Sequence, residues 1–321
     1  MPDPEASTAI DPAFTPLPTD GTLPAQAAVQ VQLAANKRLG FMGYFSVVWM
    51  VGIIAAAILA PVLPIADPEK PYLELKKGID IAGPGTPGHP LGGDGAAHDL
   101  LARVIWGARA SLLIGFSAVL IGLIIGGTLG LLAGFFRGKA DAVLSATFDA
   151  LLAIPAIVMA LALVAVLAPN DPQHPVTDAR RLGVLIFALG VVSIPVLARI
   201  TRASTLAWAQ REFVLASRAL GAKSGRIIRR EVLPNVTPAM VSIALLGIAV
   251  VIVGEGGLSL LNVGLTSTPS WGNMLVQGYA DIRKTPWPTI VPGAALFFTV
   301  LSLNYLGDVV RARFDVRESS I

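Results

Sequence analysis

Long apolar stretches alternate with short charged ones along this chain. No Asp, Glu, Lys or Arg occurs in 39–66, 110–136, 150–170, 182–198, 232–254 or 285–307. Most of these reach the roughly 17–25 residues that a helix needs to cross a bilayer core. The third and fourth extend past Asp149 and Arg199 at their edges. The pattern predicts an all-α integral membrane protein with six spans, at about 40–63, 111–136, 142–167, 182–200, 238–260 and 289–306. Pro155 predicts a kink in the third span, and Pro195 lies near the inner end of the fourth.

The connections read differently from one another. Residues 67–109 form a long outer segment whose middle, 81–94, is dense in Gly and Pro and is expected to be irregular. From Asp99 the pattern turns helical, with Leu100, Leu101, Val104, Ile105 and Ala108 on one face and Arg103 and Arg109 expected to snorkel to the outer interface. The second span carries glycines four apart, at Gly122, Gly126, Gly130, Gly134 and Gly138. Small residues at that spacing let helix backbones approach closely, within the chain or against a partner subunit. In the outer segment 262–288, Trp271, Tyr279 and Trp287 are spaced as interfacial anchors.

Between spans four and five, 199–231 holds eight basic residues (Arg199, Arg202, Arg211, Arg218, Lys223, Arg226, Arg229 and Arg230) against Glu212 and Glu231. The stretch 212–220 predicts a short helix with Phe213, Val214, Ala216 and Leu220 on its apolar face. Gly221 follows where a left-handed cap favours a residue without a Cβ. A second short helix is expected over 223–232, limited by Pro234, which disfavours helix at Leu233. A folded knob between two spans implies a docking partner.

Composition agrees with membrane insertion: 54% of the 321 residues are hydrophobic and only 14% charged, where soluble chains carry about 25%. The mean hydropathy is +0.69. With the N-terminus inside, the inner segments collect fifteen of the twenty-four Lys and Arg, so the charge bias predicts both termini in the cytoplasm. The net charge of +3 comes from these flanks and does not point to nucleic acid. Residues 1–36 lack any basic residue and are rich in Pro, Ala and Thr. They read as a disordered cytoplasmic tail rather than a secretory signal. The organisation expected is this tail, a first span within 37–66, an outer loop 67–109, a core of five spans over 110–310 containing the loop 199–235, and a cytoplasmic end 311–321.

Candidate chemistry is sparse. The absence of cysteine excludes disulfides and thiolate metal sites. Residues 133–140 come nearest to a phosphate loop but lack its first glycine and the hydroxyl residue after lysine, so no nucleotide site is expected. His89, His98 and His174 lie in outer loops without a convincing ligand spacing, and no metal site or catalytic residue is assigned. Asp149, near the inner part of span three, and Glu255, beyond the middle of span five, remain. Ionisable residues in spans face a cavity or a partner, so each is either an interhelical hydrogen-bonding group or part of a path.

Several of these stretches together resemble a known family. Arg211-Glu-Phe-Val-Leu-Ala-Ser-Arg-Ala-Leu-Gly-Ala222 followed by Arg226-Ile-Ile-Arg-Arg-Glu-Val-Leu-Pro-Asn235 is similar to the EAA loop of permeases of ATP-binding-cassette importers. His89-Pro-Leu-Gly-Gly-Asp94, 103–112, Pro269-Ser-Trp-Gly-Asn-Met-Leu275 and Asn304-Tyr-Leu-Gly-Asp308 resemble the C-type subunits of dipeptide, oligopeptide and nickel importers. The resemblance covers roughly 37–317 and departs in two places. Leu215 and Ser217 stand at the outer positions of the EAA triplet, with Glu212 three residues earlier as a substitute carboxylate, and 95–99 lacks the usual Gly-Arg-Asp run. The resemblance implies a type I importer permease of the bacterial inner membrane, pairing with a homologous B-type permease. Its coupling helix would seat in a cytoplasmic ATPase through Phe213, Leu220 and Ala222, with basic residues such as Arg218 orienting it. ATP and Mg would be used by those ATPase subunits and no cofactor by this chain. The outer segments would meet a substrate-binding protein that delivers peptides. A nickel chelate as cargo, or a secondary transporter, is the alternative.

Overall fold

The computed structural model describes residues 40–77, 80–169 and 176–318, so the expected tail 1–36, the pair Lys37–Arg38 and His174 lie outside the described residues. Helix α1 is Phe41–Leu59, α2 Leu100–Phe136, α3 Gly138–Leu152, α4 Ala156–Leu167, α5 Asp178–Trp208 and α6 Glu212–Ala219. Helix α7 (Ser224–Ile227), a π-helical turn (Ile228–Val232) and α8 (Leu233–Leu260) run on as one long rod; α9 is Trp271–Tyr279 and α10 Trp287–Glu318. Five of the described helical segments are long and apolar enough to cross a membrane, and α3 with α4 makes a sixth span only if their 84° bend is taken as a break within it.

The second span is longer than its apolar stretch, because Asp99 caps α2 by accepting from the Ala102 amide at 2.6 Å and fuses the outer amphipathic turns to it. Packing explains the glycine ladder. A Cβ at Gly126 would stand 2.3 Å from the Ile194 carbonyl oxygen, and one at Gly130 2.2 Å from that of Ala198. Gly122 and Gly134 meet Ser193, Arg202 and Thr205 at similarly short range. The ladder therefore serves α5 of the same chain, backbone against backbone. Gly138 is no rung: it begins α3 with open space around it.

Pro155 does more than kink its span. Between Leu152 and Ala156 the helix stops, and α3 turns across the inner end of α5, where Arg202 grips Asp141 through Nε at 2.5 Å and Nη2 at 2.8 Å. Pro234, in contrast, does not end its helix. The Leu233 amide bonds back five residues to Ile228, and this wider turn relieves the clash that a proline ring makes in regular α-helix.

The outer segment 80–99 is irregular but tightly held. Two-residue strands β1 (Lys76–Lys77) and β2 (Asp80–Ile81) pair antiparallel, Lys76 opposite Ile81. Asp94 accepts from the amides of Ala96 and His98, both at 2.9 Å, and from the Arg103 guanidinium. His89 bridges Asp99 at 2.6 Å and Glu74 at 3.4 Å. Arg103 is thus buried in this network rather than reaching for the interface, while Arg109 is exposed and lies over Trp106. Trp271 is likewise no interfacial anchor: it is fully buried and donates from Nε1 to the Val104 carbonyl at 3.0 Å.

Candidate coupling site

The knob between α5 and α7 is built from its hydrophobic face inward. Val214, Ile227, Val232 and Val236 bury against Leu131, Phe135 and Ala209, so α6 is packed onto the inner ends of α2, α5 and α8. Val214 points inward, opposite to the residues left outside. Phe213 is 42% exposed, Leu215 51% and Leu220 88%. Ala216 is exposed, while Ala222 is partly buried against the knob's own core. Of the expected apolar contacts, Phe213 and Leu220 therefore stand outside, and Leu215 joins them.

The helix ends as its sequence predicts. The Gly221 amide bonds to the Arg218 carbonyl and the Ala222 amide to that of Ser217, each at 3.0 Å, with Gly221 at φ +80°. This is a Schellman closure. Arg218 lies over the Phe135 ring, 4.8 Å from its centre, and Arg211 over Trp208 at 5.3 Å. These stacks fix both cations beside the helix. Ser217 Oγ donates to Glu231 Oε1 at 2.7 Å, and the Asn235 side chain donates to the Glu231 carbonyl at 2.5 Å. Glu231 thereby ties α6 to the π-turn that accommodates Pro234. Glu212 is exposed in the first turn of α6, where its charge complements the helix dipole. Neither Ser217–Glu231 nor the Arg218–Phe135 stack was visible as a motif, because each joins residues of different elements.

The two carboxylates of the spans have different surroundings. Asp149 is 61% exposed and lies 3.5 Å from Arg199, itself 67% exposed, since the bend at Pro155 takes α3 out of the bundle. Glu255 is fully buried. It accepts from Ser259 Oγ at 3.0 Å and Ser270 Oγ at 2.8 Å. Ser270 in turn caps α9 through the Asn273 amide at 3.1 Å. The Trp271 amide donates to Ser111 of α2 at 3.1 Å, and a Cβ at Gly272 would collide with Gly256. Glu255 is an interhelical carboxylate that seats the start of α9 on α8. Asp178, unremarked in the sequence, pins the preceding loop: it accepts from the Thr266 hydroxyl at 2.6 Å and the Ser267 and Thr268 amides at 2.8 and 2.5 Å.

The chain and its fold have counterparts among known proteins. The family model described as binding-protein-dependent transport system inner membrane component matches residues 126–319. The chain belongs to that family. This permease is 33% identical to the dipeptide transport system permease protein DppC of Alkalihalophilus pseudofirmus, over 90% of this chain and 89% of that one. It is 35% identical to the di/tripeptide transport system permease protein DppC of Pseudomonas aeruginosa, over 88% and 89%. It is 34% identical to the glutathione transport system permease protein GsiD of Pectobacterium atrosepticum, over 84% of each. A solved structure of the MetNI methionine transporter superposes with a TM-score of 0.54 at 21% identity, over 65% of this chain and 95% of that one. The permease has the type I importer fold. It is a multi-pass inner-membrane component of an ATP-binding-cassette transporter and not the ATPase, and its family implies ATPase and binding-protein partners.

Proposed function

We propose that this permease forms, with a homologous partner permease, the translocation path of an importer that takes up short peptides handed over by a substrate-binding protein. The observation that carries this reading is the α6 knob: a short helix closed by a Schellman turn, seated on three span ends, with Phe213, Leu215 and Leu220 left bare. A capped helix that is packed at its base moves as one piece with α5 and α8, whereas a floppy loop would absorb displacement. The bare side chains enter a cleft of a cytoplasmic ATPase, and Arg211 and Arg218 orient them. Glu212, Ala216, Gly221, Ala222 and Pro234 keep the element in shape. Closure of paired ATPases on ATP and Mg then rocks the spans. Both termini lie in the cytoplasm, and residues 67–99 and 262–288 face the binding protein. Peptides are the cargo this reading favours, because relatives named for dipeptides, di/tripeptides and glutathione match over most of the chain.

The test exploits the absence of cysteine. Leu220→Cys, with Ala222→Cys as the half-buried comparison, is crosslinked in membranes to single-cysteine ATPase subunits with and without ATP. A nucleotide-sensitive crosslink at Leu220, stronger than at Ala222, is expected. A folded permease that captures no ATPase would remove the coupling role and favour secondary transport. Tight nickel-chelate binding without peptide binding by the cognate binding protein would replace the cargo.

A further inference from the structure

His89 sits in the outer segment between carboxylates from two different elements, and it is only 5% exposed. Its Nδ1 lies 2.6 Å from Asp99 Oδ2, at the cap of α2. Its Nε2 lies 3.4 Å from Glu74 Oε1, in the short 3₁₀ turn Leu73–Leu75. The Tyr72 ring lies against the imidazole with 4.9 Å between centres, and Lys70 stands over that ring.

The proton positions follow from this network. Oδ1 of Asp99 accepts from the Ala102 amide at 2.6 Å, so Asp99 is an acceptor at both oxygens and Nδ1 carries the first proton of the ring. A neutral imidazole has a single N–H, and Nε2 then turns a lone pair toward the Glu74 carboxylate. Only a second proton, on Nε2, makes that contact a hydrogen bond between opposite charges. Glu74 is held below the ordinary carboxylate range by its own backbone amide and by His89, so it stays ionised while a histidine titrates. The link is therefore whole at the acid end. It is lost as pH rises through about 5–8, where histidines change charge.

The link joins the turn that leads into β1 and β2 to the start of α2. Leu75, next to Glu74, is fully buried, and a Cβ on Gly93 would stand 2.8 Å from it. The Tyr72 amide donates to the Ala97 carbonyl and the Ala82 amide to that of Leu75, both at 2.8 Å. These backbone bonds and this packing do not titrate. The second histidine of the segment acts in the opposite sense. His98 Nδ1 lies 3.1 Å from Asp94 Oδ2 and 2.8 Å from Arg103 Nη1. A neutral ring there accepts from the guanidinium, whereas protonation brings a second cation onto the carboxylate that Arg103 already holds.

We propose that His89 is a proton-operated clasp: protonated on Nε2, it fastens the turn 73–75 and its hairpin to the start of α2, so that the outer face firms as the outside acidifies. One consequence rests on the reading that 67–99 meets the binding protein: docking of that protein strengthens as pH falls.

Hydrogen exchange of the complete transporter in nanodiscs, at about pH 6 and about pH 8 and corrected for the intrinsic pH dependence of exchange, tests the clasp. Wild type is compared with Glu74→Gln and His98→Gln. The Glu74 side chain is 59% exposed, so its replacement leaves the core untouched. Protection of the Leu75 and Ala82 amides is expected to be about two- to fivefold greater at the lower pH in wild type and in His98→Gln, the range of a partly exposed ion pair. In Glu74→Gln it is equal at both. A pH step that survives in Glu74→Gln, or that vanishes in His98→Gln, overturns the clasp. The affinity of loaded binding protein for the same three complexes is measured alongside. Its gain at low pH is expected to disappear in Glu74→Gln, a comparison that subtracts any titration within the binding protein; a gain that persists there overturns the docking consequence. A binding protein that docks on none of the complexes at either pH brings down the parent reading instead, while exchange still decides the clasp.

Discussion

At the scale of single residues, buried polar groups decide more than exposed charges. Glu255 sits in a fully apolar stretch, yet both of its serine partners lie on its outer side, one a turn later on α8 and one at the cap of α9. Glu255→Ala would strand two buried hydroxyls, and each unsatisfied group costs about 1–3 kcal/mol. The expected result is a lower thermal midpoint of the purified permease and easier proteolysis before Trp271, with Glu255→Gln retaining most of both. Equal behaviour of the two variants would show that volume, not hydrogen bonding, sets the position. Gly221 makes a complementary case. Nothing crowds its missing Cβ, so Gly221→Ala is penalised by its left-handed backbone alone, by about 1 kcal/mol. A modest loss of ATPase crosslinking at Leu220 with unchanged expression is expected. The glycine was legible from its place after the amphipathic pattern of 212–220. Glu255 was legible as an alternative only, because its partners are fixed by how α9 folds back, which no local pattern encodes.

At the scale of elements, the pairing of α2 with α5 is the firmest feature, and the ladder of glycines announced it. The sequence left open whether the ladder faced this chain or another; the approach of Gly126 and Gly130 to the α5 backbone answers that. Gly130→Ala would force a methyl against the Ala198 carbonyl, and overpacking of this kind costs about 1–3 kcal/mol or displaces the helix. Gly126→Ala and Gly130→Ala should each reduce the yield of monodisperse permease on size-exclusion chromatography, whereas Gly138→Ala, in open space though at φ +74°, should cost less. If all three behave alike, the ladder is not the contact that holds α2 to α5. Prolines were harder to read. Pro155 and Pro234 carry the same local signal, yet one breaks a span by 84° and the other rides on a π-turn. The difference lies in surroundings: Arg202 of α5 grips Asp141 and holds the turned α3 in place, while Glu231 and Asn235 hold the turn around Pro234 in line.

At the scale of the whole molecule, the coupling helix is a continuation of a rigid blade. Helix α5 is locked to α2 by backbone contact and leads through the buried Ala209 into α6. Force applied at Leu220 therefore reaches the spans through a short turn with a buried Ala209 and through packed helices, rather than through a long loop. This predicts that stiffness at the α5–α6 junction, not docking strength, sets the yield of transport per ATP. Two glycines inserted between Ala209 and Gln210 leave Phe213, Leu215 and Leu220 on an intact helix but free its base. The expected phenotype in proteoliposomes is retained ATPase association and continued hydrolysis with uptake reduced at least about tenfold. If instead the inner insertion abolished ATPase binding, the knob would be a docking surface whose shape depends on α5. If it left uptake unchanged, the displacement would have to travel through α8 alone, along the continuous rod from Ser224 to Leu260.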